Sequence, residues 1–422
     1  MGYRTVSTFL EKTGFEDLRG KPLPREYAPA RLLKEKEGGA PVLFTVEGTS
    51  IDAVGNLVDT RSKLHTALGV ENDVDAYKAI IRALSPHEFK VDGTPGGYRE
   101  CDRGLLCLPA VKFYERDGGL YLTASLFISC YDSVCNASIH RVMVTGAHEA
   151  RVRIVPRHLY SLYKEATAKG EDLPVTIVLG VHPAYLLLSA FSPPRGVFEL
   201  GIAAKLLSDR LVESPLHGHP MPMAGAVIEG YLTRKMGDEG PFADILLLYD
   251  KVRKQPVLKV EKVYISREEP AHVILSGGME HIMLMGFPRE VAIWEAVSRV
   301  VPKVHKVRLT PGGGGWLHAV ISISKNHPGD GKNAILAAFS AHPSLKHVIV
   351  VDEDIDVEDP KMVEWAIATR FQADRDLVVV REARGSTLDP SGRDGYVSKM
   401  GIDATIKGDP EKYRMARIPG EG

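Results

Sequence analysis

The spacing of apolar residues divides the chain into regions of different predicted structure. Before residue 95, the segments 6–14 (VSTFLEKTG) and 74–84 (VDAYKAIIRAL) carry apolar residues at helical spacing, and 41–46 (PVLFTV) is a short β-rich run. A polar, glycine-rich segment, DGTPGGYRECDRG, follows them. The pattern predicts a small α/β region over residues 1–100.

Short β-rich runs separated by glycine and proline dominate from about residue 105 to 275. They predict a barrel or a mixed sheet, with helices inserted at 158–168 and 197–207. The runs are GLYLTASLFIS, SIHRVMVTG, RVRIVP, VTIVLGV, ADILLLYD (243–250) and PVLKVEKVYIS.

The last part of the chain has an α/β pattern. Residues 281–302 predict a connector helix that is entered after Pro288. From 303 to 422, β-rich runs such as LHAVISIS and HVIVVDEDI alternate with helical segments such as KNAILAAFSAH and PKMVEWAIATR. This alternation predicts a C-terminal α/β domain with parallel strands.

One predicted strand, YDSVCNASIHRVMV at 131–144, has an unusual content. Asn136, Ser138, His140 and Arg141 interrupt an otherwise apolar run. Asparagine and arginine are poor strand formers, and a buried guanidinium needs a partner. Asn136 and Arg141 occupy an even and an odd position, so a regular strand would place them on opposite faces. A bend between them would bring both to one cleft; otherwise they form a satisfied polar pair within the sheet.

Two further polar residues stand in apolar surroundings. His158 follows Pro156 and Arg157 at a predicted helix start, where anions are favoured, and Glu199 lies in a helix of small and apolar residues. Together with Asn136 they form a set of oxygen and nitrogen donors suited to Mn²⁺ or Mg²⁺. The simpler interpretation is that each is a structural polar residue.

The segment GDEGPFAD at 237–244 places two acids, Glu239 and Asp244, on either side of a Gly-Pro-Phe turn. Such a turn can hold both carboxylates toward one pocket, where their proximity would separate their pKa values. Arg141 could then bind a substrate carboxylate bidentately. Two acids flanking a turn are also common on protein surfaces.

Composition restricts the class of protein. The formal net charge is −1, which gives no reason to expect nucleic acid as a partner. No apolar run reaches the roughly 18 residues that span a bilayer, and the N-terminus lacks a signal-peptide core. We therefore expect a cytoplasmic protein without a membrane partner. With 2 Gln and 5 Asn, the chain is poor in thermolabile amides, which favours a hot environment.

The cysteines and the common motifs add little chemistry. Cys101, Cys107, Cys130 and Cys135 contain no C-x-x-C pair, so small apolar residues in neighbouring strands are favoured over a zinc site. No P-loop or dinucleotide fingerprint occurs. The acidic run at 350–359 could bind a divalent cation, but a solvated loop is favoured.

Six motifs carry a family resemblance. NASIHR, the His of RHL, the Glu of FELG, VIEGY, EGPFAD and SKMGIDAT occur in this order between about residue 100 and 407. The chain thereby resembles the UbiD family, decarboxylases that use prenylated FMN as an electron sink. The resemblance implies an α/β (α+β) fold: the N-terminal region, a central split β-barrel flavin-binding domain at 101–280, the connector helix at 281–302, and a C-terminal α/β oligomerisation domain at 303–422.

The resemblance also implies roles for individual residues. Arg141 would orient the substrate acid, Asp244 would deliver the proton that replaces CO₂, and Glu239 would pair with Arg141. Asp244 stands where several family members have Glu. The implied ligands of Mn²⁺, with K⁺ nearby, are Asn136, His158 and Glu199. The implied cofactor-binding residues are Asn136, Ser138, Ile139, His140, Arg141, Arg157, His158 and Lys399.

The substrate implied by the resemblance is a small carboxylic acid. The short archaeal members that the chain resembles decarboxylate trans-anhydromevalonate 5-phosphate to isopentenyl phosphate in a mevalonate pathway. The candidate cations for binding such a phosphate are His140, Arg157 and Arg195. The alternatives are an aromatic acid, such as 4-hydroxybenzoate or its polyprenylated form, and a non-catalytic flavin- or metal-binding accessory subunit. The resemblance further implies a flavin prenyltransferase as cofactor supplier and a homo-oligomer, either a dimer or a hexamer.

Overall fold

The computed structural model describes residues 2–84, 88–393 and 395–416. The chain forms two compact units, one ending at Met285 and the other beginning at Gly286. The end of the predicted C-terminal domain, 417–422, lies outside the described residues. No helix in the described ranges is long and apolar enough to cross a membrane.

The first unit contains helices and many short strands. Its helices are α1 (Val6–Thr13), α2 (Ala28–Glu35), α3 (Arg61–Leu68), α4 (Asp73–Ala83), α5 (His158–Ala168), α6 (Pro183–Ser189), α7 (Glu199–Leu207) and α8 (Met279–Val297), which continues into the second unit. Its strands are β1 (Glu16–Asp17), β2 (Val42–Phe44), β3 (Ala53–Gly55), β4 (Val91–Asp92), β5 (Tyr98–Glu100), β6 (Leu120–Leu122), β7 (Leu126–Tyr131), β8 (Val134–Ile139), β9 (Val142–Val144), β10 (Glu149–Val152), β11 (Leu173–Leu179), β12 (Leu211–Glu213), β13 (Pro220–Met221), β14 (Ala226–Glu239), β15 (Phe242–Ala243), β16 (Tyr249–Asp250), β17 (Arg253–Ser266) and β18 (Ala271–His272).

The second unit is a smaller α/β layer. Its elements are β19 (Lys303–Leu309), β20 (His318–Ser324), α9 (Asp330–Ala341), β21 (His347–Asp352), α10 (Pro360–Arg370), α11 (Ala373–Asp376), β22 (Leu377–Arg384) and β23 (Tyr396–Asp403). Short 3₁₀ helices of the two units lie at Gly104–Cys107, Pro311–Gly313 and Pro410–Tyr413.

A curled antiparallel half-barrel sheet forms the centre of the first unit, in the order β6-β9-β10-β17-β14-β11-β7-β8. Every pairing along this path is antiparallel. The long strands β14 and β17 shift register between Glu229 and Gly230 and again between Leu232 and Met236. Such irregularities bend a sheet and increase its twist, which helps it to curl. The predicted barrel-like sheet is confirmed in this form.

The N-terminal elements form as predicted. In α1, Thr5 caps the first turn through a capping box with Thr8, and Val6, Phe9 and Leu10 are buried. The strands β1, β2, β3 and β18 form a separate sheet whose apolar residues enter a common core with β6 and β9.

The sheet of the second unit runs in the order β19-β20-β21-β23-β22. The central strands β20, β21 and β23 are parallel, as predicted, but both edge strands pair antiparallel with their neighbours. The prediction was wrong at the edges because β19 and β22 each connect to the next strand directly, whereas a parallel pair needs a crossover connection. Alternate residues of β21 pack toward α9 or toward α10.

The predicted strand at 243–250 is instead a hairpin. Strands β15 and β16 pair antiparallel, with Phe242 opposite Asp250, and Leu247 at the tip has a positive φ of 57°. The backbone N–H groups of Asp244 and Leu247 close the turn by donating to Leu248 and Asp244. The prediction was wrong because the turn within this apolar run contains no glycine or proline, so the sequence pattern is the same as that of one continuous strand.

The connector helix was also predicted incorrectly at its start. Helix α8 begins at Met279, and Pro288 lies inside it rather than before it. Apolar residues on both sides of the proline, including Leu284 and Val291, are buried. Their packing keeps the helix continuous despite the missing amide of Pro288.

The cysteines correct a further prediction, because they are paired as disulfides rather than free. Cys130 and Cys135 lie opposite each other on β7 and β8, and Cys101 is bonded to Cys107 across the first 3₁₀ helix. Asp132 and Ser133, both with positive φ, form the tight turn that brings β8 back alongside β7. Intracellular proteins of hyperthermophiles are rich in disulfides, so the pairs are compatible with the composition.

Loss of the Cys130–Cys135 bond should destabilise the β7–β8 hairpin. For a loop this short, chain entropy predicts a loss of about 2 kcal/mol for the variant Cys130→Ser with Cys135→Ser, measured by thermal unfolding. Alkylation of unfolded, unreduced protein, followed by mass spectrometry, should modify no cysteine. Modification of all four without a reductant would contradict the pairing.

Candidate active site

The sheet is interrupted at His140 and Arg141, two of the polar residues that stand out in the apolar run at 131–144. Strand β8 ends at Ile139 and β9 begins at Val142, so His140 and Arg141 occupy a break between two strands. The backbone N–H of His140 donates to the Ser125 carbonyl at 3.1 Å, which fixes the break. The predicted bend between Asn136 and Arg141 is therefore present.

Asn136, His158 and Glu199 lie together, as the sequence predicted. Glu199, only 1% exposed, accepts hydrogen bonds from Asn136 Nδ2 at 2.9 Å and from the backbone N–H of Ala137 at 2.8 Å. His158 Nδ1 lies 3.6 Å from Glu199 Oε1. The hydrogen bond and charge of Glu199 raise the pKa of His158. Glu199 begins α7 and His158 begins α5, so two helix starts converge on β8.

The Ser138 hydroxyl lies between Asn136 and His140. Burial lowers the pKa of His140 to about 4, so the ring is neutral at pH 7. His140 Nδ1 faces the Arg153 carbonyl at 2.9 Å and must carry the proton, which leaves Nε2 as an acceptor. Ser138 Oγ lies 2.9 Å from that Nε2 and 3.1 Å from Asn136 Oδ1. One hydroxyl proton cannot serve both, so the cluster has an excess of acceptors.

The neutral state of His140 corrects one sequence prediction. A buried neutral imidazole cannot act as a cation toward a phosphate, although His140 remains at the centre of the site. Of the other candidate cations, Arg195 is exposed and pairs with Glu165 at 2.8 Å. Arg157 is the N-cap residue of α5, where no side chain caps the helix.

Arg141 lies among three carboxylates. Its Nε and Nη2 donate to Glu239 at 2.8 and 3.0 Å, its Nη1 donates to Asp244 at 2.8 Å, and its Nη2 also donates to Asp250 at 3.1 Å. The Glu239 side chain has no exposed surface, and that of Arg141 is 9% exposed. The guanidinium lies 4.6 Å from the centre of the Phe242 ring, a cation–π contact. The predicted group of Arg141, Glu239 and Asp244 is therefore assembled.

The EGPF turn places the acids around Arg141. Glu239 ends β14, and the following Gly240 has a φ of +95°, which favours glycine, and a cis peptide to Pro241. The β15–β16 hairpin then brings Phe242, Asp244 and Asp250 to one guanidinium. Tyr121, fully buried, donates to Glu239 Oε1 at 3.3 Å.

Sequence reasoning missed several residues of this site. They are Tyr121, Arg153, Asp250, Arg253 and His281. The sequence could have indicated Asp250, because Asp244 and Asp250 stand on either side of the leucine run in ADILLLYD. His281, half-buried near the start of α8, accepts from the backbone N–H of Gly277 at 3.0 Å. Burial lowers its pKa while the charge of Asp244 opposes that effect.

Lys399 belongs to the second unit, on β23. Its side chain is nearly buried, and Nζ donates to the Pro343 carbonyl at 2.6 Å. Burial lowers the pKa of this amine. Contact between Lys399 and a cofactor stays a prediction.

Comparison with known families agrees with this fold and site. Residues 96–279 match the Rift-related domain of 3-octaprenyl-4-hydroxybenzoate carboxy-lyase, and residues 282–404 match the C-terminal domain of the same family. The chain belongs to the UbiD family of decarboxylases. The predicted carboxy-lyase class is thereby confirmed.

Individual relatives extend over nearly the whole chain. An anhydromevalonate phosphate decarboxylase from Aeropyrum pernix is 53% identical over 99% of this chain and 96% of its own length. The UbiD-class enzyme HmfF from Pelotomaculum thermopropionicum, solved in complex with FMN, is 37% identical with a TM-score of 0.93, covering 98% of this chain and 97% of its own. An evolved dimeric form of HmfF with prFMN is 34% identical with a TM-score of 0.90, covering 99% and 97%.

Removal of the Arg141 charge should destabilise the protein strongly. In Arg141→Met the wholly buried Glu239 loses its cation, and a broken buried pair costs about 3–5 kcal/mol. The measurement is the shift of the thermal unfolding midpoint at pH 7. The control Lys254→Met removes a cation from an exposed pair with Asp238 and should shift it little. Equal shifts in the two variants would contradict the importance of the buried pair.

Proposed function

We propose that this protein decarboxylates trans-anhydromevalonate 5-phosphate to isopentenyl phosphate without net oxidation, using prenylated FMN. The observation that carries the reaction type is Arg141 held among Glu239, Asp244 and Asp250, a carboxylate-binding cation beside an acid able to supply a proton. The substrate is inferred from the 53% identical relative, which is named for anhydromevalonate phosphate. Relatives solved with FMN and prFMN support the flavin.

The reaction replaces CO₂ by a proton. Prenylated FMN, when bound, would supply the electron sink for the electron pair that the departing CO₂ leaves on carbon. Arg141 binds the substrate carboxylate and aligns it, while the buried surroundings exclude water. Asp244, once released from Arg141, takes up a proton from solvent and delivers it to the same carbon as general acid. The carbon–carboxyl bond breaks, a carbon–hydrogen bond forms, and no external oxidant or reductant is required.

The hydrogen bonds of Arg141 indicate which acid moves. A guanidinium has five N–H donors, and contacts to Glu239, Asp244 and Asp250 occupy all but one, on Nη1. A substrate carboxylate that binds at Nη1 therefore needs the donor that Asp244 occupies. Asp244 is also the most exposed of the three acids, at 22% against 0% and 8%. Substrate binding would release Asp244 from Arg141 and free its carboxyl for proton transfer.

Asn136, His158 and Glu199 fit a divalent metal that accompanies the flavin phosphate. The excess of acceptors around Asn136 Oδ1 suits a cation, and amide, carboxylate and imidazole ligands suit Mn²⁺. Asn136, Ser138, Ile139, His140, Arg141, Arg157, His158 and Lys399 remain the proposed cofactor-binding residues. We also propose K⁺ as a second ion, without assigned ligands.

The biological setting follows from the same proposal. A flavin prenyltransferase would supply the cofactor, and the site of action would be the cytoplasm. The protein would form a homo-oligomer, a dimer or a hexamer; an evolved form of the relative HmfF is dimeric.

The substrate proposal is tested by comparing acids directly. Enzyme produced together with a flavin prenyltransferase should turn over anhydromevalonate phosphate faster than 4-hydroxybenzoate, measured as CO₂ release. The variant Arg141→Ala, assayed as folded protein because loss of the buried cation destabilises it, should lose turnover of either acid. The reverse ranking would overturn the substrate, and an active Arg141→Ala would overturn the mechanism.

Glu199→Gln should lose metal and flavin together. The substitution preserves shape but removes the charge that a divalent cation needs, and removal of ligand-shell groups typically lowers metal affinity about 10- to 100-fold. The measurement is metal and flavin content per protein after purification, with the partly exposed Glu165→Gln as control. A fully loaded Glu199→Gln protein would remove Glu199 from the ligand set.

A further inference from the structure

Asp250 is a convergence point of three guanidinium groups. Its side chain is 8% exposed, and it accepts from Arg253 Nη2 at 2.7 Å and from Arg141 Nη2 at 3.1 Å. Arg153 Nε lies 3.5 Å from the same carboxylate. Three cations therefore face one nearly buried carboxylate.

The charge state of Asp250 follows from these contacts. Burial alone would raise the pKa of Asp250, but the hydrogen bond from Arg253 and the charge of Arg141 lower it overall. The carboxylate is therefore ionised and can accept from Arg141 throughout the neutral pH range.

Asp250 and Glu239 fix Arg141 from two directions. Glu239 accepts from Nε and from one hydrogen of Nη2, while Asp250 accepts from the other hydrogen of Nη2. Both contacts use Nε and Nη2 and leave Nη1, the group that Asp244 must release, for the substrate carboxylate. With Nη2 held twice, the guanidinium plane stays fixed when Asp244 leaves.

We propose that Asp250 is a positioning residue for the decarboxylation, which holds Arg141 in place while Asp244 yields to the substrate carboxylate. The inference rests on the proposed function for its substrate step, and nothing in the family comparison assigns a role to Asp250. The hairpin supports it: Asp250 pairs with Phe242, whose ring contacts Arg141, at the base of the hairpin that carries Asp244 near its tip.

The competing explanation is that Asp250 only neutralises Arg253. Four variants separate the two explanations: Asp250→Asn, Arg253→Gln, the double variant, and the control Asp238→Asn. Asp238 is an exposed acid on β14 that pairs with Lys254, so it matches the charge change without touching Arg141.

We expect Asp250→Asn to lower kcat/KM about 10- to 100-fold, the range for a misplaced catalytic group. KM should rise and kcat should fall, because Arg141 both binds and aligns the carboxylate. The double variant should be as poor as Asp250→Asn, and Asp250→Glu should recover part of the activity. Recovery of activity in the double variant would overturn the proposal, because Asp250 would then only offset Arg253.

A second measurement is independent of turnover. Phenylglyoxal modifies accessible guanidinium groups, and peptide mass spectrometry reports the rate at Arg141. Asp250→Asn should react faster at Arg141 than wild type, whereas Asp238→Asn should match wild type. Equal rates in folded, flavin-loaded Asp250→Asn and wild type would overturn the proposal. If wild type prefers 4-hydroxybenzoate or decarboxylates neither acid, the proposed substrate is wrong. The phenylglyoxal rates at Arg141 still decide whether Asp250 holds that residue in place.

Discussion

The buried ion pair between Arg141 and Glu239 is the contact on which the rest of the site depends. A carboxylate without exposed surface is costly to bury unless a cation lies close to it, and the Nε of Arg141 lies 2.8 Å from Glu239. That requirement explains the break after β8, which lets the guanidinium leave the sheet. It also explains why β14 continues as far as Glu239 and why the following hairpin folds over Arg141 rather than away from it.

The segment from Asn136 to Arg141 connects two groups of polar residues, one around Glu199 and one around Arg141. Before the break, strand alternation presents Asn136 to Glu199 and His158 at the starts of two helices; after it, Arg141 reaches the acids of β14 and the β15–β16 hairpin. Both groups rest on rigid strands and helix ends, which hold side chains more accurately than loops do. The distance between the group around Glu199 and Asp244 is thus set by the sheet.

Local sequence pattern was sufficient for much of the fold and for most of the site. Helix α5 begins at His158 as its preceding proline indicated, and polar residues in an apolar strand correctly marked Asn136 and Arg141. Contacts distant in sequence explain the rest. The fold of ADILLLYD depends on Arg141, which no local pattern contains, and β23 enters between β21 and β22 although it follows both in the chain. The disulfides likewise depend on a strand register that cysteine spacing did not reveal.

Ser138 gives the site a property of its own. Its hydroxyl proton has two alternative acceptors, Asn136 Oδ1 and His140 Nε2, at 3.1 and 2.9 Å. The hydroxyl proton of Ser138 can therefore take two arrangements, one toward each acceptor. An ion at Asn136 Oδ1 would repel the proton and select the arrangement in which Ser138 donates to His140. Ion binding would thereby order a hydrogen-bond chain from Ser138 through His140 to the Arg153 carbonyl, which follows β10 directly.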